Sequence, residues 1–191
     1  MKTQNIMIVG VGGQGSLLAS KLLGHLLMTA GYDVKVSEVH GMSQRGGSVV
    51  TYVRYGDEVC SPVVDKGEAD FIVSFELLEA ARWLSYLKSG GKLIANNQQI
   101  DPMPVITGAA EYPEKLDEKI VAAGVDADIF DALRLAESAG STKAVNLVLM
   151  GRLSKYFPFS EDDWMRSIEK CVPQKFLELN KKAFALGRDM E

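Results

Sequence analysis

Cysteine, histidine and long apolar runs are all scarce in this chain of 191 residues. The two cysteines, Cys60 and Cys171, lie far apart in the sequence and are too few to ligate a four-cysteine zinc ion or an iron–sulfur cluster by themselves. No apolar stretch approaches the roughly 20 residues that span a bilayer. Glycines interrupt the apolar run that starts at Ile6, which excludes a secretory signal there. We therefore expect a cytoplasmic protein without a membrane segment.

The charge balance is mildly acidic, with 25 acidic residues against 21 lysines and arginines and a formal net charge of −4. A general nucleic-acid-binding protein carries a basic surface, so that class is not expected. The hydrophobic share of 47% and the charged share of 24% are those of an ordinary globular protein. A chain of this length buries a sizeable core, and we expect residues 1–191 to form one domain.

Short apolar runs alternate with helical patterns along most of the chain. Strands are expected over residues 5–9, 33–39, 48–55, 70–75, 92–95 and 125–131, and the last is expected to run into a helix near Leu133. Helices are expected over 16–30, 76–88, 113–123, 143–156, after an N-cap at Ser160, and over 173–186, with a loop or edge strand around Pro102 and Pro104. The first two strands and their helix form a βαβ pattern. This order predicts an α/β fold with a Rossmann-like, doubly wound and mostly parallel sheet flanked by helices over about residues 1–140, and a C-terminal helical extension over 141–191.

A glycine-rich motif, Gly10–Gly15, reads G-x-G-x-x-G between the first strand and the first helix. In this pattern glycines allow a tight turn, let the backbone approach a phosphate, and let helix and strand pack closely. Helix N-terminal amides attract an anion, and an acidic residue about 20 positions later can hold a ribose hydroxyl. The same glycines also suit a structural turn or a protein interface, and both alternatives stay open. The candidate phosphate- or cofactor-binding residues are Gly10, Gly12, Gly13, Gln14, Gly15 and Glu38.

A polar segment with three glycines and one cation, His40–Gly47, follows the second strand. It leaves the carboxyl end of that strand, the edge at which open α/β sheets bind ligands. A guanidinium such as that of Arg45 grips a carboxylate or phosphate with two hydrogen bonds, and flanking glycines let a partner approach closely. The alternative is a hairpin-like connection in which Arg45 is a solvated surface charge. The candidate contacts with a substrate or a partner are His40, Ser43, Gln44, Arg45, Gly46 and Gly47.

Taken in order and at this spacing, Gly10–Gly15 and Ser37–Ser48 resemble the gamma-type domain of the 2-oxoacid:ferredoxin oxidoreductases. The resemblance covers most of the chain and is strongest over residues 6–100. Its form His-Gly-Met-Ser-Gln-Arg-Gly-Gly is most similar to that of the beta subunits of indolepyruvate ferredoxin oxidoreductases, whereas pyruvate and 2-oxoglutarate relatives usually vary the residues before Arg45-Gly46. The match continues through Ser61-Pro62, Gly67–Asp70, Phe75–Ala80 and Gly90-Gly91.

The resemblance implies an enzyme that oxidatively decarboxylates a 2-oxoacid, here indolepyruvate or another aryl pyruvate, to acyl-coenzyme A while it reduces ferredoxin. It implies thiamine diphosphate, magnesium and iron–sulfur clusters on a larger partner subunit, coenzyme A as co-substrate, and ferredoxin as a partner through the complex. The chain itself lacks a Cys-x-x-Cys series, and Asn96-Asn97 lacks the preceding Gly-Asp-Gly of a thiamine diphosphate motif. We therefore expect no cofactor, no metal and no catalytic residue on this chain, whose role is to complete the assembly and help to place coenzyme A.

In isolation the chain is expected to be inactive and able to form a homodimer, with neither nucleic acid nor a membrane as a partner. The main alternative is a stand-alone Rossmann-type dinucleotide-binding protein, either a dehydrogenase module or a ligand sensor. A dehydrogenase needs a positioned acid–base group in its substrate half, and the C-terminal helices contain no histidine. A third alternative is a purely structural partner whose glycine loop binds no ligand.

Overall fold

The computed structural model describes residues 2–40 and 47–190, and within them six strands form one sheet. The strands are β1 (Gln4–Val11), β2 (Asp33–His40), β3 (Ser48–Gly56), β4 (Ala69–Ser74), β5 (Leu87–Asn96) and β6 (Asp126–Phe130). They lie in the order β2-β3-β1-β4-β5-β6. β1, β4, β5 and β6 pair parallel, and β3 pairs antiparallel with both β1 and β2, so every strand except β3 runs in the same direction.

Eight α-helices accompany the sheet in the described part of the chain. They are α1 (Ser16–Thr29), α2 (Leu77–Trp83), α3 (Met103–Ile106), α4 (Leu116–Ala122), α5 (Ala132–Ala139), α6 (Val145–Ser154), α7 (Glu161–Cys171) and α8 (Leu177–Asp189). The predicted α/β fold, with a mostly parallel sheet and a C-terminal helical region, is therefore confirmed. Among residues 2–40 and 47–190, no helix is long and apolar enough to cross a membrane.

Side chains of β1 alternate between two apolar cores, one on each face of the sheet. Ile6 and Ile8 point into the larger core, which α1 and helices α5 to α8 cover. Met7 and Val9 point into the smaller core, which α2 and α4 cover. All four side chains are fully buried, as expected for a strand covered on both faces. Trp164 of α7 packs in the larger core with α1, so the C-terminal helices complete the same core as the sheet.

The first crossover differs from the simple βαβ unit that the sequence suggests, because β1 and β2 are not neighbours. β3 lies between them and pairs with each along its full length. The connection between β2 and β3 is short, and a short connection joins antiparallel strands only. The chain therefore turns back into the space between β1 and β2. Glu38 of β2 is therefore separated from β1 by one strand, but it still lines a cavity with Gly12, Gly13 and Gly15 of the glycine loop.

Two expected elements differ in the structure. The helix expected over 76–88 ends at Trp83 as α2, and β5 already begins at Leu87. Gly91 lets β5 approach β4, because a Cβ at this position would stand 3.0 Å from the carbonyl oxygen of Ala69. The segment around Pro102 and Pro104, expected as a loop or an edge strand, forms the short helix α3, since proline is tolerated in a first turn.

Candidate functional site

A crevice opens at the carboxyl edge of the sheet, between β1 and β4. These strands are parallel neighbours, but the chain leaves β1 for α1 on one face and leaves β4 for α2 on the other. Open α/β sheets bind ligands at such switch points, because the connecting loops diverge there. The glycine loop Gly10–Gly15 lies on one side of the crevice, and residues that follow β5 lie across from it.

Three glycines of this loop are required by its geometry. Gly13 and Gly15 have φ angles of +100° and +93°, in the left-handed region that side chains disfavour. A Cβ on Gly10 would stand 2.9 Å from the Cβ of Phe75, and a Cβ on Gly15 would stand 2.8 Å from Nδ2 of Asn146. The tight turn and the close packing that the motif implies are therefore present. These contacts require glycine whether or not a phosphate binds, so the phosphate site stays a prediction.

The side-chain amide of Gln14 closes the glycine loop. Its Oε1 accepts a hydrogen bond from the N–H of Val11 at 2.7 Å, and its Nε2 donates to the carbonyl oxygen of Phe75 at 3.1 Å. The same carbonyl accepts from Nδ2 of Asn96 at 3.2 Å, and Oδ1 of Asn96 accepts from the N–H of Ala132. Two side-chain amides thus connect the carboxyl ends of β1, β4 and β5 with the start of α5.

The carboxylate of Glu38, the predicted ribose ligand, faces the start of α1. Its Oε2 accepts from the hydroxyl of Thr51 at 3.1 Å and from the hydroxyl of Ser16, the first residue of α1, at 3.4 Å. A carboxylate beside a helix N-terminus complements the positive end of the helix dipole. An anionic ligand on this side of the loop would meet that negative charge.

The predicted contact segment His40–Gly47 is described at its two ends. His40 is the exposed last residue of β2. The carbonyl oxygen of Gly47 accepts from the N–H of Gly12 at 2.9 Å, and the hydroxyl of Ser48 donates to the carboxylate of Glu79 on α2. The glycine loop and α2 therefore hold the end of the segment at this edge of the sheet. The remaining candidates lie outside the described residues, and their roles stay predictions: Ser43, Gln44, Arg45 and Gly46.

Two buried glutamates support this edge, and sequence reasoning did not single them out. Glu76, fully buried at the N-cap of α2, accepts from the N–H of Glu79 at 2.8 Å, the N–H of Ile100 at 3.1 Å and the hydroxyl of Tyr112 at 2.6 Å. Burial and the hydrogen bond to Glu76 raise the pKa of Tyr112 above its ordinary value. Glu79 accepts from Nε1 of Trp83 as well as from Ser48. Both carboxylates have several donors, which makes them structural braces.

The crevice contains an open cavity of about 540 Å³ between the glycine loop and the start of α6. Among the described residues that line it, Lys143 is the one charged side chain, and Gln98 and Thr142 add polar groups. Leu18 and Leu133 provide apolar wall. A lysine beside the N-terminus of α1 suits an anionic group, and the apolar wall suits a non-polar portion of the same ligand.

Sequence reasoning missed four polar residues of this cavity, Gln98, Thr142, Lys143 and Asn146. Asn146 is 4% exposed, and its Nδ2 lies 3.4 Å from the carbonyl oxygen of Gly15. Lys143 and Asn146 lie more than 120 positions from the glycine loop in the sequence, and no motif connects them to it. The one available signal is Asn146 itself, a single amide within the apolar run Val145–Met150.

The described residues do not bring together a set of side chains suited to bind a metal ion. Within 2–40 and 47–190, no three histidine, cysteine, aspartate or glutamate side chains come together as a metal site. Cys60 is exposed after β3, whereas Cys171 is buried at the end of α7. These cysteines do not form a ligand set for an iron–sulfur cluster, which uses four. The crevice offers amides, hydroxyls and one lysine, which are groups that bind and orient an anion.

The chain is similar over nearly its full length to subunits of 2-oxoacid oxidoreductases. A family model described as pyruvate ferredoxin/flavodoxin oxidoreductase matches residues 5–190. A protein of Thermococcus kodakarensis named "Indolepyruvate oxidoreductase subunit IorB" is 48% identical, over 98% of this chain and 95% of that protein. A protein of the same name from Pyrococcus horikoshii is 47% identical, with the same coverage of each chain.

A solved structure has the same fold. The 2-oxoglutarate:ferredoxin oxidoreductase from Magnetococcus marinus, with 2-oxoglutarate, coenzyme A and succinyl-CoA bound, matches all of this chain with a TM-score of 0.72 and 20% sequence identity. The match covers 32% of that longer chain. The family model and the two relatives confirm the family resemblance predicted from the two glycine motifs. The chain therefore belongs to the pyruvate ferredoxin/flavodoxin oxidoreductase family and is a subunit of a 2-oxoacid:ferredoxin oxidoreductase.

Proposed function

We propose that this chain is the smaller subunit of an enzyme that oxidatively decarboxylates indolepyruvate or another aryl pyruvate to acyl-CoA while it reduces ferredoxin. The observation that carries this proposal is the full-length identity of 48% to a protein named for indolepyruvate. The His-Gly-Met-Ser-Gln-Arg-Gly-Gly form at residues 40–47 supports the same substrate. Ferredoxin is reached through the complex.

Thiamine diphosphate, magnesium and the iron–sulfur clusters belong, in this proposal, to a larger partner subunit. The support comes from the side chains on this chain, whose two cysteines lie on separate parts of the fold. This chain then contributes binding surface and no catalytic residue. Its segment His40–Gly47 contacts the partner or the substrate, with Arg45 as the principal contact. The anchors at Gly47 and Ser48 support this role, because they hold the segment at the ligand-binding edge.

The crevice between β1 and β4 is the place on this chain at which coenzyme A is positioned. Its cavity of about 540 Å³ combines Lys143 with apolar wall, and coenzyme A combines phosphates with a long neutral arm. The opposite side of the glycine loop is less suitable, since the Glu38 carboxylate at Ser16 repels phosphate there. We assign the phosphate end of coenzyme A to the side of Lys143.

The alternative of a stand-alone dinucleotide-binding protein has less support. In a dinucleotide site the acidic residue after the second strand binds the ribose hydroxyls beside the glycine loop. Here Glu38 does line a cavity with the glycine loop, but its carboxylate already accepts hydrogen bonds from Ser16 and Thr51. Titration of the chain with NADH, followed by nicotinamide fluorescence, tests this alternative directly, and we expect no binding.

The subunit proposal is tested by activity with and without the larger subunit. We expect the chain alone to be inactive and the co-expressed complex to reduce a viologen dye when indolepyruvate and coenzyme A are both present. Among indolepyruvate, pyruvate and 2-oxoglutarate, indolepyruvate is expected to give the highest kcat/KM. Dye reduction by the chain alone, or a clear preference for 2-oxoglutarate, contradicts the proposal.

The coenzyme A assignment has its own test within that complex. Lys143→Gln is expected to raise KM for coenzyme A about three- to tenfold, the loss of one charge-assisted contact, with KM for the 2-oxoacid unchanged. Lys155→Gln, at an exposed lysine after α6, is the matched control. An unchanged KM for coenzyme A in Lys143→Gln rejects the placement while the subunit assignment stands.

A further inference from the structure

A groove at the β6 edge of the sheet belongs to neither the crevice nor the segment His40–Gly47. It is formed by the outer side of α4, by β6 and by the residue after β5, and we call it the α4 groove. Its cavity of about 520 Å³ adjoins a second of about 420 Å³, and Asn97 and Asp117 line both. The residues that line the first cavity are Asn97, Asp117, Glu118, Val121, Ala122 and Ile129.

The surface of α4 combines an apolar centre with negative charge. Leu116 and Ile120 point inward and are buried, whereas Val121 is 58% exposed. Asp117, Glu118 and Lys119 are exposed beside it. Glu118 forms an ion pair with Lys115 at 3.5 Å, between two highly exposed side chains. Val121 gives this charged surface one exposed apolar contact.

Negative charge extends around the groove. Over residues 97–122, five exposed carboxylates outnumber two exposed lysines. The carboxylates are those of Asp101, Glu111, Glu114, Asp117 and Glu118, and the lysines are Lys115 and Lys119. A basic ligand is therefore attracted to this side of the molecule, and an anionic one, such as a nucleic acid, is repelled. A ligand that complements this surface has lysine or arginine side chains around an apolar contact.

The sheet itself ends at this groove. β6 is the last strand in the order, and in the described residues it pairs with β5 only. The N–H of Asn97 donates to the carbonyl oxygen of Phe130, so Phe130 directs its backbone groups towards β5. Successive residues of a strand alternate in this direction, and Ile129 therefore directs its backbone groups away from β5. An extended segment fits beside such an edge.

From these observations we propose that the α4 groove is a docking surface for a basic, extended segment of the larger partner subunit. The proposal rests on the proposed function for the existence of that partner. A second copy of this chain, docked through the same surface, fits less well because each copy presents more carboxylates than lysines there and the two surfaces repel.

The test measures the dissociation constant of the co-expressed complex by dilution and mass photometry at low and high salt. The double variant Asp117→Asn with Glu118→Gln removes two charges and retains side-chain size. We expect about three- to tenfold weaker association at low salt, with the difference shrinking at high salt as screening increases. Glu137→Gln with Glu178→Gln removes two exposed charges away from the groove and is expected to leave the constant unchanged.

The apolar centre is tested separately by Val121→Asp, with Val63→Asp as its control at a valine that is 52% exposed. We expect Val121→Asp to weaken the complex at all salt concentrations and Val63→Asp to leave it intact. Parental affinity in both α4 variants overturns the docking surface, provided that their melting temperatures are unchanged. Self-association of the isolated chain that the α4 variants abolish also overturns it, because the occupant is then a second copy. Failure of the parental chain to form any complex contradicts the proposed function instead.

Discussion

Gly151 of α6 and Gly187 of α8 each lie against the backbone of the other's helix. A Cβ on Gly151 would stand 2.0 Å from the carbonyl oxygen of Phe184, and a Cβ on Gly187 would stand 1.9 Å from the carbonyl oxygen of Val148. Backbone contact on both sides leaves no flexible side chain that can move away. These two helices therefore pack at a distance that only glycine permits, and they close the larger core.

Alanine at Gly151 is expected to lower the free energy of unfolding by about 3 kcal/mol or more, because one helix must move to make room for the methyl group. Gly24→Ala is the matched control within a helix, since the nearest atom to its added Cβ is 3.7 Å away in Val36. There the better helix propensity of alanine predicts a stability equal to the parent or up to about 1 kcal/mol higher. Urea unfolding measures both, and equal losses in the two variants contradict the prediction.

Asp128 of β6 is kept ionised by three donors, and this makes the fold sensitive to acid. Nε of Arg152 lies 2.5 Å and the hydroxyl of Tyr156 lies 2.6 Å from its Oδ2, and Nζ of Lys92 lies 2.8 Å from its Oδ1. Burial raises the pKa of this carboxyl, but the three hydrogen bonds outweigh burial and lower the pKa to about 2 from an ordinary 3.8. Because the folded pKa is the lower one, the network stabilises the fold above about pH 4, and this contribution is lost as the pH falls towards 2.

Asp128→Asn is therefore expected to lower the free energy of unfolding by about 1 to 2 kcal/mol at pH 7, a figure discounted for solvent screening. It should also flatten the dependence of stability on pH between 4 and 2. Asp101→Asn, at an exposed carboxylate, is the control. Urea unfolding across pH 2 to 7 measures both effects. A variant at Asp128 that loses stability with acid as steeply as the parent is the contrary outcome.

Replacement of Glu76 by glutamine is expected to destabilise the edge of the sheet by about 2 to 4 kcal/mol. The buried carboxylate accepts from Glu79, Ile100 and Tyr112, and a glutamine would direct an N–H group at one of these donors. Hydrogen exchange of the Ile100 amide should become faster before the core amides are affected. Glu111→Gln, at an exposed position, should change neither quantity. An unchanged exchange rate of the Ile100 amide in the Glu76 variant would show that the hydrogen bonds of this carboxylate are not needed to stabilise the edge.

Gln14→Glu is expected to cost about 1 to 3 kcal/mol, because the carboxylate retains the acceptor for Val11 but loses the donor to the carbonyl of Phe75. The new charge also faces that carbonyl oxygen. Gln174→Glu makes the same substitution at an exposed position and should be neutral. Thermal unfolding distinguishes the two variants. An unchanged melting temperature in Gln14→Glu would show that the amide is not needed to close the loop, which leaves it available for the ligand-binding role that the motif suggests.

Local signals in the sequence predict most elements of this fold. The spacing of the apolar residues predicts both ends of α1 to within one residue. Ser160 and the three acidic residues that follow it predict the start of α7. The structure has a capping box there, in which Ser160 accepts from the N–H of Asp163 and the Asp163 carboxylate accepts from the N–H of Ser160. These features depend on residues within one or two turns of each other, which is why the sequence alone suffices.

Features that depend on distant residues are not predictable in this way. The position of β3 between β1 and β2 is a choice of strand partners that no local pattern encodes. Gly91 in β5 resembles the end of a helix in sequence, and its close approach to β4 becomes evident only in three dimensions. Lys143 is similar, because only the packing of α6 against α1 brings it to the glycine loop. The sequence alone predicts the glycine loop on one side of the crevice, but it does not predict Lys143 on the other side.

Because β3 pairs antiparallel with both β1 and β2, the pairing of these strands does not depend on which residues connect β2 to β3. Its register with β1 and β2 is set along the whole length of the strands, with Val53 and Tyr55 in the core. Residues inserted or exchanged between His40 and Gly47 therefore leave every strand pairing in place. Related subunits can diversify this one connection, in length and in chemistry, while α1, the glycine loop and the sheet persist. On the proposal that this segment contacts the partner or the substrate, changes within it alter partner or substrate choice without a new fold.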